Sequence, residues 1–296
     1  MRLLAATTTA LLVSSTALAG NVSLGPAADY NVFVLGTHTA QNSDIQGRVA
    51  VGGAATYQNY GLASAMPQSG VNAVFGSSIN WTNGQLNGSM RYGTTASFSG
   101  VGIAGGTAQQ GSVINFGAAG TQLQTLSQQY AAIAANGTTY VAPWNAITLT
   151  GASNDVNVFS LSASALSVAN GLTITAPAGS TVLINVSGAA ATMQNFGFFL
   201  NGVTAGDILF NFADATSLQA SGIGIKGSVL APNAAVTFNN GHMDGQMIAS
   251  TLQGSGEFHN FLYTGQLAVV PVPAAAWTGG AAMLMLGAGR RLSRRR

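Results

Sequence analysis

Between about Asp29 and Gln266 the hydrophobic positions fall in short runs broken by Gly, Asn, Ser and Thr. NVFVLG (31–36), RVAVGG (48–53), VNVFSL (156–161), LTITAP (172–177), TVLINVSG (181–188) and DILFNF (207–212) carry alternating or continuous β-branched and aromatic residues. That is the pattern of half-buried or fully buried strands. An aliphatic-x-Gly-x-aliphatic unit recurs at Ile45-Gly47-Val49, Leu86-Gly88-Met90, Ile225-Gly227-Val229 and Met243-Gly245-Met247. The last two glycines lie 18 residues apart, close to one coil of a β-solenoid, and each unit predicts a turn at a residue that tolerates positive φ. The expected fold is mainly β: a β-solenoid interrupted by insertions, since 41 residues separate Gly47 from Gly88. A β-sandwich with incidental glycines is the competing arrangement.

One segment breaks the strand pattern. In NFGAAGTQLQTLSQQYAAIAANG, Leu123, Leu126, Tyr130 and Ile133 recur at helical spacing and predict an α-helix over about 117–136. Thr121 with Gln124 reads as a capping box and Gly137 as the stop. With Gln on its other face, such a helix packs along the solenoid, and its apolar stripe serves packing.

Composition sharpens this picture. Charged residues make up 5% of the chain and Gly numbers 39, which fits a turn-rich β structure with a polar, uncharged surface. The formal charge of +2 comes from the ends. Without Arg2, Arg290, Arg291, Arg294, Arg295 and Arg296, three cations (Arg48, Arg91, Lys226) face seven anions, a net −4. No basic face exists to displace counterions from phosphate, so nucleic acid is excluded as a partner. The absence of cysteine excludes disulfides, thiolate catalysis and Cys-ligated zinc.

Both termini read as addresses. MRLLAATTTALLVSSTALAG has Arg2, an apolar stretch, and a small-x-small site at Ala17-Leu18-Ala19 before Gly20. These features predict a signal peptide over residues 1–19 and export. At the other end, Pro271 and Pro273 hold the chain extended, and residues 274–289 are uncharged and rich in Ala, Gly, Met and Leu. A helix of that length spans about 24 Å, short of a ~30 Å hydrocarbon core. The arginines at 290, 291, 294, 295 and 296 then form a cytoplasmic stop.

Val270-Pro271-Val272-Pro273-Ala274 followed by the apolar stretch and the arginines resembles the PEP-CTERM sorting signals of Gram-negative bacteria, in the VPLPA-like variant. Val272 stands where the named form has Glu. The resemblance implies a transient inner-membrane anchor over 267–296, an exosortase-like membrane protease as transient partner, and delivery to the surface. A simple tail anchor is the alternative. ADYNVFVLGTHTAQNSDIQGRVAVGGAATYQNYGLA (28–63) and GDILFNFADATSLQASGIGIKGSVLAPNAAVTFNNGHMDGQMIASTLQGSGEFHNFLY (206–263) are similar to the opening and closing regions of choice-of-anchor A domains. Thr37 stands where that opening often has Asp. This implies a surface-exposed, adhesive domain over 20–266.

Catalytic chemistry finds little support. GVGIAG (100–105) and GIGIKG (222–227) match a dinucleotide fingerprint, yet broken, β-branched sequence follows each where a helix must open. His38, His242 and His259 lie too far apart for a helical zinc pair. His242, Asp244, Glu257 and His259 can meet on adjacent coils but read as turn residues, and Asp155 between Asn154 and Asn157 marks a candidate calcium turn short of carboxylates. No catalytic residue, metal site or cofactor is assigned. The expected function is non-catalytic contact with exopolysaccharide or surface proteins, to which Tyr57, Tyr60, Trp81, Tyr92 and Trp144 contribute rings. A secreted solenoid lyase or hydrolase using Asp155, Asp244 and Glu257 is the alternative. Ice binding requires regularly spaced rows of T-x-T, whereas TLT (148–150) and TIT (173–175) stand isolated in sequence.

Overall fold

The computed structural model describes residues 24–111 and 114–267. The expected signal peptide with Ala17, Ala19 and Gly20, the sorting motif Val270–Ala274 and the terminal arginines lie outside the described residues. Among the described residues no helix is long and apolar enough to cross a membrane.

The β-solenoid expected from the sequence is present, with three faces, and each coil contributes one strand to each face in turn. On the first face the parallel order is Val156–Ser162, Thr181–Ser187, Ile208–Asn211, the start of Ser228–Asn239 and the start of Met247–Gly254. It continues through Val32–Val34, Val49–Val51, Val71–Phe75, Ser89–Tyr92 and Ala108–Gln110. Chain order and stacking order therefore differ. The first coil, which begins at Val32, is stacked against the last, which begins at Met247. The chain starts at the middle of the stack, builds one half outward, then builds the other half from the far end back to the middle.

The long helix Phe116–Ala131 makes that return. Its 16 residues span about 24 Å, equal to about five strand spacings. It lies on the outer side of the first face: the Phe116 ring sits 5.5 Å from Phe33. Near its other end Ser127 Oγ donates to Asn211 at 2.5 Å, and Asn185 Nδ2 donates to the Tyr130 carbonyl at 2.8 Å. Leu123, Leu126 and Tyr130 are buried, as their spacing predicted. The ends differ from expectation. Asn115 caps the helix by accepting from Ala118 N–H, while Thr121 lies within it and bonds back to the Gly117 carbonyl. The helix stops at Ala131, before Ile133 and Gly137. The N–H groups of Asn136 and Gly137 bond the Val158 carbonyl instead, and this pulls the chain into the next strand.

The four glycine units are all corners between the third face and the first. Gly88 and Gly227 have φ of 88° and 129°. Gly47 and Gly245 do not lie at positive φ; a Cβ at Gly245 would come within 2.2 Å of the Gly227 carbonyl oxygen, so close stacking of corners requires glycine there. The interval from Gly47 to Gly88 is two coils, Val49 pairing with Ala73 and Ala73 with Met90. The longer one carries the loop 63–70.

Inside the stack Tyr57, Tyr60, Phe75, Trp81, Phe210, Phe238 and Phe258 are buried. Tyr57 and Tyr60 stack at 5.5 Å, and Trp81 Nε1 donates to the Tyr60 carbonyl at 3.1 Å. Three of the five rings expected at the surface are thus core. The reason is alternation: each stands one position from an outward polar residue, and only an inward ring can fill the solenoid's axis. Tyr92 is half-buried and Trp144 exposed.

Candidate functional site

The second face consists of eight strand segments in one parallel order: 190–194, 217–221, 235–239, 251–254, 38–41, 55–58, 79–82 and 96–99. Register aligns their side chains in rows that run the length of the stack. The inward rows hold His38, Ala55, Ile79, Ala96, Leu252, Val236, Leu218 and Ala191, and beside them Ala40, Tyr57, Trp81, Phe98, Gly254, Phe238, Ala220 and Met193. The central outward row reads Thr192, Gln219, Thr237, Gln253, Thr39, Thr56, Asn80 and Ser97. A second outward row holds Gln194, Ser221, Asn239, Gln41, Gln58, Thr82 and Ser99.

Every side chain of these two outward rows is exposed or half-exposed, and none carries charge. At 4.7–4.9 Å per strand the rows extend about 34 Å. At their far end the short helix Ala163–Ser167 takes the place of a strand, Ser167 Oγ accepting from the Thr192 N–H at 2.9 Å. The long helix covers the middle of the first face, and the third carries the charge described below. The second face is therefore a flat, neutral lattice of hydroxyls and amides open to solvent.

Its border is built from left-handed residues. Asn42, Asn59, Asn83, Asn195 and Asn240 have φ of 50–56°, and Gly100 and Gly222 take 66° and 61° at the equivalent corners. Asparagine is the non-glycine residue best suited to this conformation. Here its side chain also forms a ladder: Asn59 Nδ2 donates to Asn42 Oδ1 at 3.0 Å, and Asn83 Nδ2 to Asn59 Oδ1 at 3.2 Å. Asn59→Ala should cost about 1–2 kcal/mol, from left-handed strain plus the broken rungs, while Asn59→Gly should cost less than half of that. Thermal unfolding of the two variants checks the order.

With the border in place, a repeat legible in the sequence emerges. THTAQN (37–42), AATYQN (54–59), SINWTN (78–83), TASFSG (95–100), AATMQN (190–195), SLQASG (217–222) and AVTFNN (235–240) share one hexapeptide pattern. A small or polar residue leads, two inward positions alternate with two outward polar ones, and Asn or Gly makes the corner. A search for T-x-T finds one of the seven, THT (37–39), because Thr, Ser, Gln and Asn substitute for one another at the outward positions.

The third face collects the charges. Lys226, Asp244 and His259 share one row, His242 and Glu257 the next. Lys226 Nζ lies 2.5 Å from Asp244 Oδ2, His259 Nδ1 lies 2.6 Å from Asp244 Oδ1, and His259 Nε2 lies 3.3 Å from Glu257 Oε1. The His242 and His259 rings stack at 5.1 Å. These residues do meet on adjacent coils. Burial raises the Asp244 pKa, but the bonds from Lys226 and His259 outweigh it and hold the carboxyl below its usual range. An acid so engaged is poorly placed as a general acid. Among the described residues no group of His, Asp or Glu is arranged to hold a metal ion.

Asp155 sits apart, before the strand Val156–Ser162. The neighbouring Asn157 side chain is buried and spent on the turn, accepting from Ser153 N–H at 2.9 Å and donating to the Ser153 carbonyl and Ser180 Oγ. These bonds of the Asn157 amide hold the turn. Neither G-x-G-x-x-G match opens a helix, since both run through the strands Ala96–Ala104 and Gly224–Lys226.

Further along the third face, the sheet of Thr138–Val141, Ala146–Thr150, Gly171–Thr175 and Gly197–Asn201 brings TLT and TIT together, pairing Thr148 with Thr173 and Thr150 with Thr175. The two motifs are isolated in sequence and adjacent in space. Tyr140 and Phe199 flank them, 56% and 59% exposed.

A family model described as "Putative Ice-binding-like adhesive domain" matches residues 23–260. Among solved structures, the chain is similar to an ice-binding protein from the Antarctic ascomycete Antarctomyces psychrotrophicus, at 17% identity over 80% of this chain and 98% of that one, with a TM-score of 0.43. It is also similar to the ice-binding protein DUF3494 domain of Shewanella frigidimarina, at 14% identity over 83% and 98%, TM-score 0.36. A third is an ice-binding protein from an Antarctic Flavobacteriaceae bacterium, at 13% over 77% and 78%, TM-score 0.34. No curated protein matches the sequence.

Proposed function

We propose, for a chain that belongs to the ice-binding-like adhesive domain family, a non-catalytic role at the cell surface or in the extracellular matrix, exerted by contact through the second face. One observation carries this reading: eight stacked segments present neutral hydroxyls and amides in straight rows, with no charge among them. Such a lattice suits a repetitive, uncharged, hydroxyl-rich surface, of which neutral exopolysaccharide is the proposed example. The rows are set by backbone hydrogen bonds, so little ordering is needed on contact and many weak bonds can form together.

The two terminal segments support the finer proposals. The signal-peptide pattern implies export, and the likeness of the C-terminal segment to PEP-CTERM sorting signals implies a Gram-negative cell. The VPVPA motif with its arginines implies transient inner-membrane anchoring and processing by an exosortase-type protease. The likeness to choice-of-anchor A domains fits such a route. Intact mass of the protein shed from cells tests the processing, which predicts loss of the residues beyond about Pro273.

Contact through neutral groups should be nearly independent of salt. Retention of the intact protein on immobilised neutral exopolysaccharide is expected to change by less than about threefold between 50 and 500 mM NaCl. Thr56→Lys with Asn80→Lys, both exposed, should weaken retention by about tenfold or more, since two hydrated charges would stand in the central outward row. Full retention by the double variant would refute the assignment of the face.

Contact with ice is a second reading, favoured by the adjacent Thr39 and Thr56 in the central row and by the family's description. Thermal hysteresis by the unmodified protein, abolished by the same double variant, would select it. The long, rotamer-rich Gln219, Gln253, Gln41 and Gln58 on the face favour the polymer.

A further inference from the structure

The lattice of the second face is interrupted at one place. Seven of its eight corners carry Asn or Gly in the left-handed conformation, but the coil through Gly254-Ser255-Gly256 is one residue shorter. Phe238 and Ala40 both pair with Gly254, and the next inward residues, Met243 and Ile45, both pair with Phe258. Five positions separate the members of the first two pairs and four separate Gly254 from Phe258. The chain saves the residue by turning at Gly254, where φ is 138°.

Ser255 follows the turn instead of pointing outward. Its N–H and hydroxyl reach back to Asn239 Oδ1 at 3.2 and 3.4 Å. No outward side chain therefore stands between Asn239 and Gln41, which are two strand spacings, or about 9.5 Å, apart. The result is a groove of about 280 Å³ lined by Thr39, Gln41, Thr237, Asn239, Gln253 and Gly254.

We infer that this groove is a subsite for one ring of a neutral sugar, as a free residue or a unit within a polymer; the inference rests on the second face being the contact surface. Its walls offer both donors and acceptors, as a polyhydroxyl ring requires. Gln253 Nε2 is held by Thr237 Oγ1 at 3.1 Å, and Asn239 Oδ1 by Ser255, which fixes both amides and turns the Asn239 nitrogen into an available donor. Thr39 and Gln41 make no side-chain hydrogen bond with the described residues, so their groups are free for a ligand. The width admits a pyranose ring edge-on, and the volume suits one residue rather than an extended chain. A charged sugar would be disfavoured, because its carboxylate would lose water with no cation in the groove.

The glycine floor is also why the site cannot be probed there: a Cβ at Gly254 would come within 1.9 Å of the Phe238 carbonyl oxygen. Gln41→Trp fills the groove from an exposed position without touching the core. The test is saturation-transfer NMR of the intact protein with methyl glycosides of glucose, galactose, mannose and N-acetylglucosamine, with methyl glucuronide alongside. At least one neutral glycoside should receive transfer that Gln41→Trp reduces by about fivefold or more, methyl glucuronide should receive little, and Gln124→Lys, exposed on the long helix away from the face, should leave the signal unchanged. Absence of transfer from every neutral glycoside, equal transfer to the glucuronide, or transfer that survives Gln41→Trp would each overturn the subsite. Polymer retention separates the two claims. A subsite failure with retention still lost in Thr56→Lys/Asn80→Lys leaves the contact face standing. Retention that ignores the double variant removes the face and, with it, the premise of the subsite.

Discussion

Gln246→Met is expected to lower the stability of the protein by about 4 kcal/mol and its Tm by roughly 10–15 °C. Gln246 is fully buried where the middle of the stack meets both ends of the packed chain. Its Nε2 donates to the carbonyls of Ala27, Ala28 and Tyr30 at 3.0, 3.0 and 2.7 Å, and its Oε1 accepts from Tyr263 N–H at 2.8 Å. Methionine matches the side chain in volume and length, so packing is largely retained. What is lost is the partner of an N–H and of carbonyls that water reaches poorly, at about 1–3 kcal/mol for each buried group left unpaired. Gln253→Met on the exposed second face is the control and should stay within about 0.5 kcal/mol. Thermal and urea unfolding of both decide the matter. A loss below 1 kcal/mol for Gln246→Met would mean that the two terminal segments hold without it.

Acid should destabilise the protein through His38. This side chain is fully buried on the inward row of the second face, its Nδ1 2.9 Å from the Tyr57 hydroxyl, and burial drives its pKa from the ordinary 6.5 down to about 3. The folded state therefore keeps His38 neutral through the range in which the unfolded chain takes up a proton. Above pH 6.5 the two states bind protons alike and the group adds no pH dependence. Below it the unfolded state is favoured by about 1.4 kcal/mol per pH unit, until the folded pKa is reached near pH 3. Between pH 6.5 and pH 4 this amounts to about 3 kcal/mol. Asp244, whose pKa is lowered, acts in the same direction only as pH falls below the carboxylate's ordinary value of 3.8. His38→Gln keeps a polar group of similar reach and cannot titrate. Its stability should be lower at pH 7 yet nearly flat from pH 7 to pH 4.5. An unchanged slope would assign the acid sensitivity elsewhere.

The architecture was legible because its signals are local. Runs such as TVLINVSG cannot be amphipathic helices, and glycines between aliphatic residues mark corners that stack backbone on backbone. Leu123, Leu126 and Tyr130 announced the long helix. Its boundaries were less legible: Thr121 offers a valid cap, but Asn115 offers one earlier, and Gly137 is diverted by hydrogen bonds to Val158 that no local pattern reveals.

The stacking order was not legible at all. That Val32 pairs with Met247 depends on where a helix sets the chain down, not on any residue near either strand. The contact face was half legible. Its neutrality follows from composition, and its hexapeptide repeat lies open in the sequence. A search for identical residues passes over it, because the fold demands only polarity outward, bulk inward and a left-handed corner. Tyr57 and Trp81 were placed at the surface for the same reason: one residue of register decides the face, and register is fixed by the neighbouring coil.

The pairing of the first coil with the last has a kinetic consequence. The strands that begin at Val32 and His38 find their neighbours in Val49–Val51 and Ala55–Leu62 within a few tens of residues, so the N-terminal half can stack as soon as it is available. Their other edges meet Met247–Gly254 only after nearly the whole chain has been laid down. Until then a row of unpaired backbone N–H and C=O groups from Val32 to Ala40 stands open, and closing it joins residues more than two hundred positions apart. Such long-range parallel pairing is slow and exposed to misassociation. Refolding should therefore show two phases, early stacking of each half and a later union at the seam. The late phase is where a chaperone would protect the molecule.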